Sequence, residues 1–79
     1  MIREVTRSHM SVEVNGRSLT IPGEMFFPPG GKIGFAIYTH EIKYWDHPRG
    51  LKISSPELDA VISGVRSDFE RAGNVLELA

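Results

Sequence analysis

His9-Met10-Ser11-Val12-Glu13-Val14-Asn15-Gly16-Arg17-Ser18-Leu19-Thr20-Ile21 is the stretch from which the rest of the chain is read. A two-residue hairpin loop of type I′ needs positive φ at both central positions, and Asn-Gly adopts it at little cost. With Asn15-Gly16 as the loop, Val14 falls opposite Arg17, Val12 opposite Leu19 and Met10 opposite Ile21, which gives one mostly apolar face. Glu13 opposite Ser18 and Ser11 opposite Thr20 make the other face polar. Alternation that stays in phase on both sides of a turn predicts a hairpin, with strands near 9–14 and 17–21.

Beyond the hairpin, Pro22-Gly23 predicts a bend or bulge, because proline donates nothing to a ladder and glycine relaxes the backbone. Glu24 to Phe27 resumes an extended pattern, and Pro28-Pro29-Gly30-Gly31 is a turn. From Lys32 to Tyr38, Ile33, Phe35 and Ile37 share one face while Gly34, Ala36 and Tyr38 share the other. Two apolar or small faces read as a central strand. The apolar phase then shifts to Ile42 and Tyr44, with Trp45 adjacent, so a bulge or change of direction is expected near Thr39-His40. His47-Pro48-Arg49-Gly50 closes that segment.

Ser54-Ser55-Pro56-Glu57 is a helix start: a serine caps, proline suits the first helical turn, and Glu57 stands three residues after Ser54. Leu58, Val61, Ile62, Val65 and Phe69 follow at helical spacing, and Gly73 stands where a left-handed C-terminal cap belongs. A helix near 56–72 and a last short strand from Val75 to Leu78 complete the pattern. The expected fold is α+β, one domain over residues 1–79. A small, mostly antiparallel sheet of about five strands carries one helix on one face, in the order β-β-β-β-α-β. No element is predicted before residue 9.

Composition narrows the function. At 79 residues the core is thin, yet 41% hydrophobic residues are too many for a disordered tail. Nine basic against ten acidic residues leave a net charge of −1, without the basic excess of a nucleic-acid binder. No apolar run approaches the ~20 residues of a membrane span. The first ten residues carry Arg3, Glu4, Arg7 and His9 and do not read as a secretory leader. The absence of cysteine removes disulfides and thiolate metal sites and agrees with a reducing cytoplasm.

Candidate chemistry is sparse. His40, Asp46 and His47 are metal-ligand types, but their spacing across a bend does not guarantee that three ligands converge, and a loop role for His47 beside Pro48 is the expectation. Gly30-Gly31-Lys32 lacks the first glycine, the hydroxyl residue and the following helix of a phosphate loop. No serine has a nucleophile context and no carboxylate pair is marked out, so neither catalysis, metal nor cofactor is expected. Tyr44-Trp45-Asp46 is the most informative local feature. Adjacent residues in an extended segment point to opposite faces, so one aromatic faces a core and the other solvent. Exposed aromatics flanked by charge are typical binding anchors. Irregular loops carry binding residues because a scaffold presents them without needing them for packing. The expected partner-binding residues are therefore Glu41, Lys43, Tyr44, Trp45, Asp46, His47 and Arg49. Trp45 reads first as a core anchor and second as a binding residue.

The segment that carries Gly34-Phe35-Ala36-Ile37-Tyr38, Ile42-Lys43-Tyr44-Trp45-Asp46, Pro48, Ile53, the helix start and the closing strand resembles the immunity protein 74 family of bacterial polymorphic toxin systems. The matching positions are Tyr38, Ile42, Lys43, Trp45, Asp46 and Pro48. Asp46 stands where many relatives carry glutamate, and His47 where a second proline is common. The resemblance implies a non-catalytic inhibitor that binds a cognate toxin domain in the cytoplasm. The alternatives are a module that pairs with itself through strand edges, as a homodimer, and an accessory nucleic-acid binder using Arg3, Arg7, Arg17 and Lys32. The charge balance argues against the latter.

Overall fold

A computed structural model describes residues 1–79. Five strands, β1 (Ile2–Val5), β2 (His9–Val14), β3 (Arg17–Phe26), β4 (Gly34–Ile37) and β5 (Val75–Leu78), form one sheet in that spatial order, and one helix, α1 (Ser55–Arg71), packs on it. The chain order is β-β-β-β-α-β, the expected α+β arrangement. Asn15 and Gly16 have φ of 51° and 79°, as the hairpin turn requires. The β2–β3 register places Met10 against Ile21, Val12 against Leu19 and Val14 against Arg17, as the alternation predicts.

The first four strands are a meander of antiparallel neighbours, whereas β5 lies parallel to β4, pairing Gly34 with Val75 and Ile37 with Leu78. A parallel neighbour needs a long crossover, and the segment containing α1 supplies it. The core lies between α1 and one sheet face. Met10, Val12, Leu19, Ile21, Phe35, Ile37 and Leu76 meet Val61, Val65 and Phe69 there. Leu58 packs on the rim of that cluster, and Ile62 is half-buried.

Three expectations need correction. First, β1 exists where no element was predicted. Second, Pro22-Gly23 does not interrupt the sheet, since β3 runs through it to Phe26. The reason lies in the ladder. Pro22 accepts a hydrogen bond from Tyr38 N–H, but the Tyr38 carbonyl accepts from Glu41 N–H, so nothing calls for a donor at residue 22. The four strands ahead of α1 are thus the unpredicted β1, the two hairpin strands with the second lengthened through 24–26, and β4. Third, β4 is only four residues long, and Ile33, placed by its spacing on the core face, is 39% exposed just outside it.

The helix starts as its sequence directs. Ser54 caps α1: its hydroxyl accepts from Glu57 N–H while the Glu57 carboxylate accepts from Ser54 N–H, with Pro56 in the first turn. Gly73 has φ of 77° beyond the helix end. Gly64, inside α1, provides a seat for Met1. A Cβ there would stand 2.6–2.7 Å from the Met1 thioether and methyl, so the glycine lets the segment before β1 lie against the helix. Ser54→Ala removes one of the two reciprocal cap bonds, and a loss of about 1 kcal/mol is expected in urea titration. A change of a few tenths would show that water replaces the cap.

Candidate partner-binding site

After β4 the chain makes one 3₁₀ turn, Thr39–Glu41, which is the change of direction expected from the phase shift. Ile42 and Trp45 then point inward and join the core. Trp45 is 4% exposed, and its neighbour Tyr44 is 51% exposed. The backbone fixes this division. Trp45 N–H donates to the Leu51 carbonyl (2.8 Å) and Ile53 N–H to the Lys43 carbonyl (3.0 Å), so 43–45 and 51–53 form a short ribbon closed by Asp46 to Gly50.

That ribbon is tied to the hairpin. Along β3, β4 covers only Gly23–Phe26, which leaves the first half of β3 without a strand on that side. The loop fills the place: Asp46 N–H donates to the Ser18 carbonyl (2.8 Å), and Ser18 N–H donates to the His47 carbonyl (3.1 Å). The Asp46 carboxylate also accepts from the Thr20 hydroxyl. The peptide before Pro48 is cis, and Gly50 takes φ of 82° where the loop turns back. Glu41, Lys43, Tyr44, Asp46, His47 and Arg49 are thereby held exposed on a segment bonded at both ends, with Trp45 beneath them. His40 lies 3.8 Å from Glu41, and Asp46 is engaged with Thr20. No group of three His, Asp or Glu side chains gathers as metal ligands.

On its other side Trp45 borders a cleft of about 410 Å³ between the β2–β3 turn and α1. Val14, Ala60 and Val61 line it with Trp45, and Arg17 and Glu57 stand at its polar margin. The Arg17 guanidinium lies 5.6 Å from the centre of the Trp45 ring and donates to Glu57 at 2.7 Å. The Trp45 Nε1–H is buried and has no acceptor. Sequence reasoning missed this cleft. Its available signal was Arg17, the one charge in the apolar row Met10, Val12, Val14, Leu19 and Ile21.

Two groups in the surroundings are electrostatically shifted. The Ser54 backbone N–H, its hydroxyl and the Arg17 guanidinium hold the Glu57 carboxyl below its ordinary value, against a smaller opposing effect of desolvation. The charge of Glu24, followed by desolvation, raises the Tyr38 hydroxyl, which donates to Glu24 at 3.4 Å. A carboxyl whose folded value lies below its unfolded value of about 4.3 stabilises the fold above that value. The contribution disappears as pH falls through the folded value. The urea midpoint should therefore drop on acidification below about pH 5, and Glu57→Gln should flatten part of that drop. Identical pH profiles for the two proteins would remove Glu57 from the effect.

The family model for immunity protein 74 matches residues 2–79. The chain belongs to the immunity protein 74 family. No curated protein and no solved structure matches it. In this immunity protein 74 chain the motif that carried the resemblance divides in two. Ile42 and Trp45 are core residues and Tyr38 is half-buried, whereas Lys43, Asp46 and Pro48 lie at the surface. No helix is long and apolar enough to cross a membrane.

Proposed function

We propose that this immunity protein is a non-catalytic inhibitor that acts as one domain over residues 1–79, binding a cognate toxin domain in the cytoplasm and neutralising it. The observation that carries the reading is the family match along residues 2–79. The contact segment in this reading is Glu41 to Arg49, with Tyr44 as its exposed aromatic and Lys43, Asp46, His47 and Arg49 around it. Trp45 supports the segment from below. The stitching to Ser18 and Thr20 favours such a role, because a loop held in place before binding loses less conformational freedom on binding.

The test is co-expression with the toxin domain encoded beside this gene, scored by growth rescue and co-purification. A chain that neither rescues growth nor co-purifies, and sediments as a dimer, would favour the self-pairing module instead. Tyr44→Ala should weaken toxin binding by about 1–2 kcal/mol in calorimetry while leaving the melting temperature nearly unchanged. Asp46→Lys should weaken it as well. A folded Asp46→Lys variant with unchanged affinity would remove this loop from the interface.

A further inference from the structure

We propose that the ribbon formed by 43–45 and 51–53, with the loop that closes it, docks on an acidic surface of the toxin domain. Lys43, Arg49 and Lys52 are set against carboxylates there, around Tyr44. This rests on the immunity reading and names the chemistry of the partner surface.

The distribution of charge is the first argument. Lys43, Arg49 and Lys52 are three of the chain's nine basic residues, and they stand within ten positions. All three are exposed, and none is in an ion pair. Arg3, Arg17 and Arg71 are paired, with Glu13, Glu57 and Asp68. Arg7, Lys32 and Arg66 are free as well but stand apart, on the β1–β2 connection, the β3–β4 connection and α1. One acid, Asp46, lies inside the basic stretch, and its carboxylate is held by the Thr20 hydroxyl. Its part in binding is that tie to β3, and the loss expected in Asp46→Lys comes from cutting it. The stretch is left net positive.

The second argument is geometry. Tyr44 and Lys52 stand opposite each other across the ribbon, where directly opposed side chains project from the same side. Trp45, Leu51 and Ile53 pack into the core or against it, so Tyr44 and Lys52 face outward. The Tyr44 hydroxyl adds a donor for the same carboxylates. The ribbon is fixed by that packing and by its bonds to Ser18, so the charges are placed before a partner arrives.

The third argument is orientation. On the sheet face turned away from α1, Glu24 and Glu77 flank Ala36 across β3, β4 and β5. An acidic partner is drawn to the ribbon and repelled from that face, so the field selects the docking pose. A nucleic acid is the other large anion. Three cations on a chain of net charge −1 make too short a track for its phosphates.

The test is the association rate with the toxin domain, by stopped flow, at about 0.05 M and about 0.5 M salt, where screening lengths are roughly 14 Å and 4 Å. Lys43→Glu/Arg49→Glu/Lys52→Glu reverses the ribbon. Arg7→Glu/Lys32→Glu/Arg66→Glu makes the same change in net charge elsewhere. At low salt the ribbon variant should associate about tenfold more slowly than wild type, and the control within about threefold of it. Added salt should slow wild type and speed the ribbon variant. The melting temperature checks that the fold holds. If the reversal unfolds the chain, Lys43→Gln/Arg49→Gln/Lys52→Gln is read in its place, with an expected slowing of about threefold. A folded ribbon variant that associates as fast as wild type, or no more slowly than the control, overturns the inference and leaves the immunity reading intact. One that associates faster means a basic toxin surface and overturns it as well. So does a labelled RNA or DNA oligonucleotide that wild type binds without toxin and the ribbon variant does not, which would assign the ribbon to nucleic acid. Wild type that fails to bind the toxin overturns both readings.

Discussion

Trp45→Ala is expected to lower the unfolding free energy by about 3–5 kcal/mol, because a nearly fully buried indole is replaced by a cavity that its neighbours fill only in part. A domain of this length has roughly 4–12 kcal/mol to lose, at about 0.05–0.15 kcal/mol per residue. The variant should be partly unfolded at body temperature, and on the proposed reading protection against a toxin should fail in step with the fold. Lost protection in Trp45→Ala therefore says nothing about the interface. Trp45→Phe is the milder partner, since it keeps an aromatic ring in the core while removing the pyrrole half of the indole with its N–H. Urea titration checks the first expectation. A loss under about 1 kcal/mol would place the indole outside the core.

The second large effect comes from adding atoms. Gly23 lies on the core face of β3, opposite Ile37. A Cβ there would press on the Ala36 carbonyl oxygen and the Phe35 ring. The carbonyl belongs to the neighbouring strand's backbone and cannot swing aside, so any side chain forces β3 and β4 apart. Gly23→Val should destabilise by about 3 kcal/mol, at the upper end of ordinary overpacking. In a domain this small that lowers the melting temperature by roughly 12–24 °C. Gly34→Ala is the control. The atoms nearest to its Cβ would all belong to the half-buried Phe26 ring, a side chain rather than backbone. The expected loss there is about 1 kcal/mol. Equal losses at the two glycines would mean that strand separation is not what Gly23 secures.

The parts of the fold legible in the sequence are those where one local constraint dominates. Asn15-Gly16 sets a turn, the turn sets a register, and the register sets two faces. Ser54, Pro56 and Glu57 set a helix start in the same way. β1 was illegible for a physical reason. Its register shifts between Ile2 and Glu4, so the half-buried residues Ile2 and Val5 stand three apart and no period of two survives. Pro22 misled because the proline rule concerns a missing donor, and whether a donor is missed depends on Tyr38 and Glu41, which are distant in sequence.

The site was half legible. Adjacent aromatics had to face opposite ways, but which one entered the core was decided by the bonds of Trp45 to Leu51 and of Asp46 to Ser18, for which the sequence offers no period. The cleft depends on Arg17 meeting Glu57 across forty residues, a pairing invisible to any local pattern.

The two outermost strands, β1 and β5, are each four residues long, and β1 is irregular within that length. On the proposed reading the chain is an inhibitor that acts by occupancy, without turnover, so it must outnumber its target and has to be stockpiled. A stockpiled β-protein risks clumping through its unpaired borders, which offer a template to any passing strand. Here those borders are brief and, on one side, out of step, so a second chain laid alongside would gain few bonds before the match failed. On that reading, the required dose and the shortness of these borders meet in one property, which is that the chain can be kept abundant and still be free to bind.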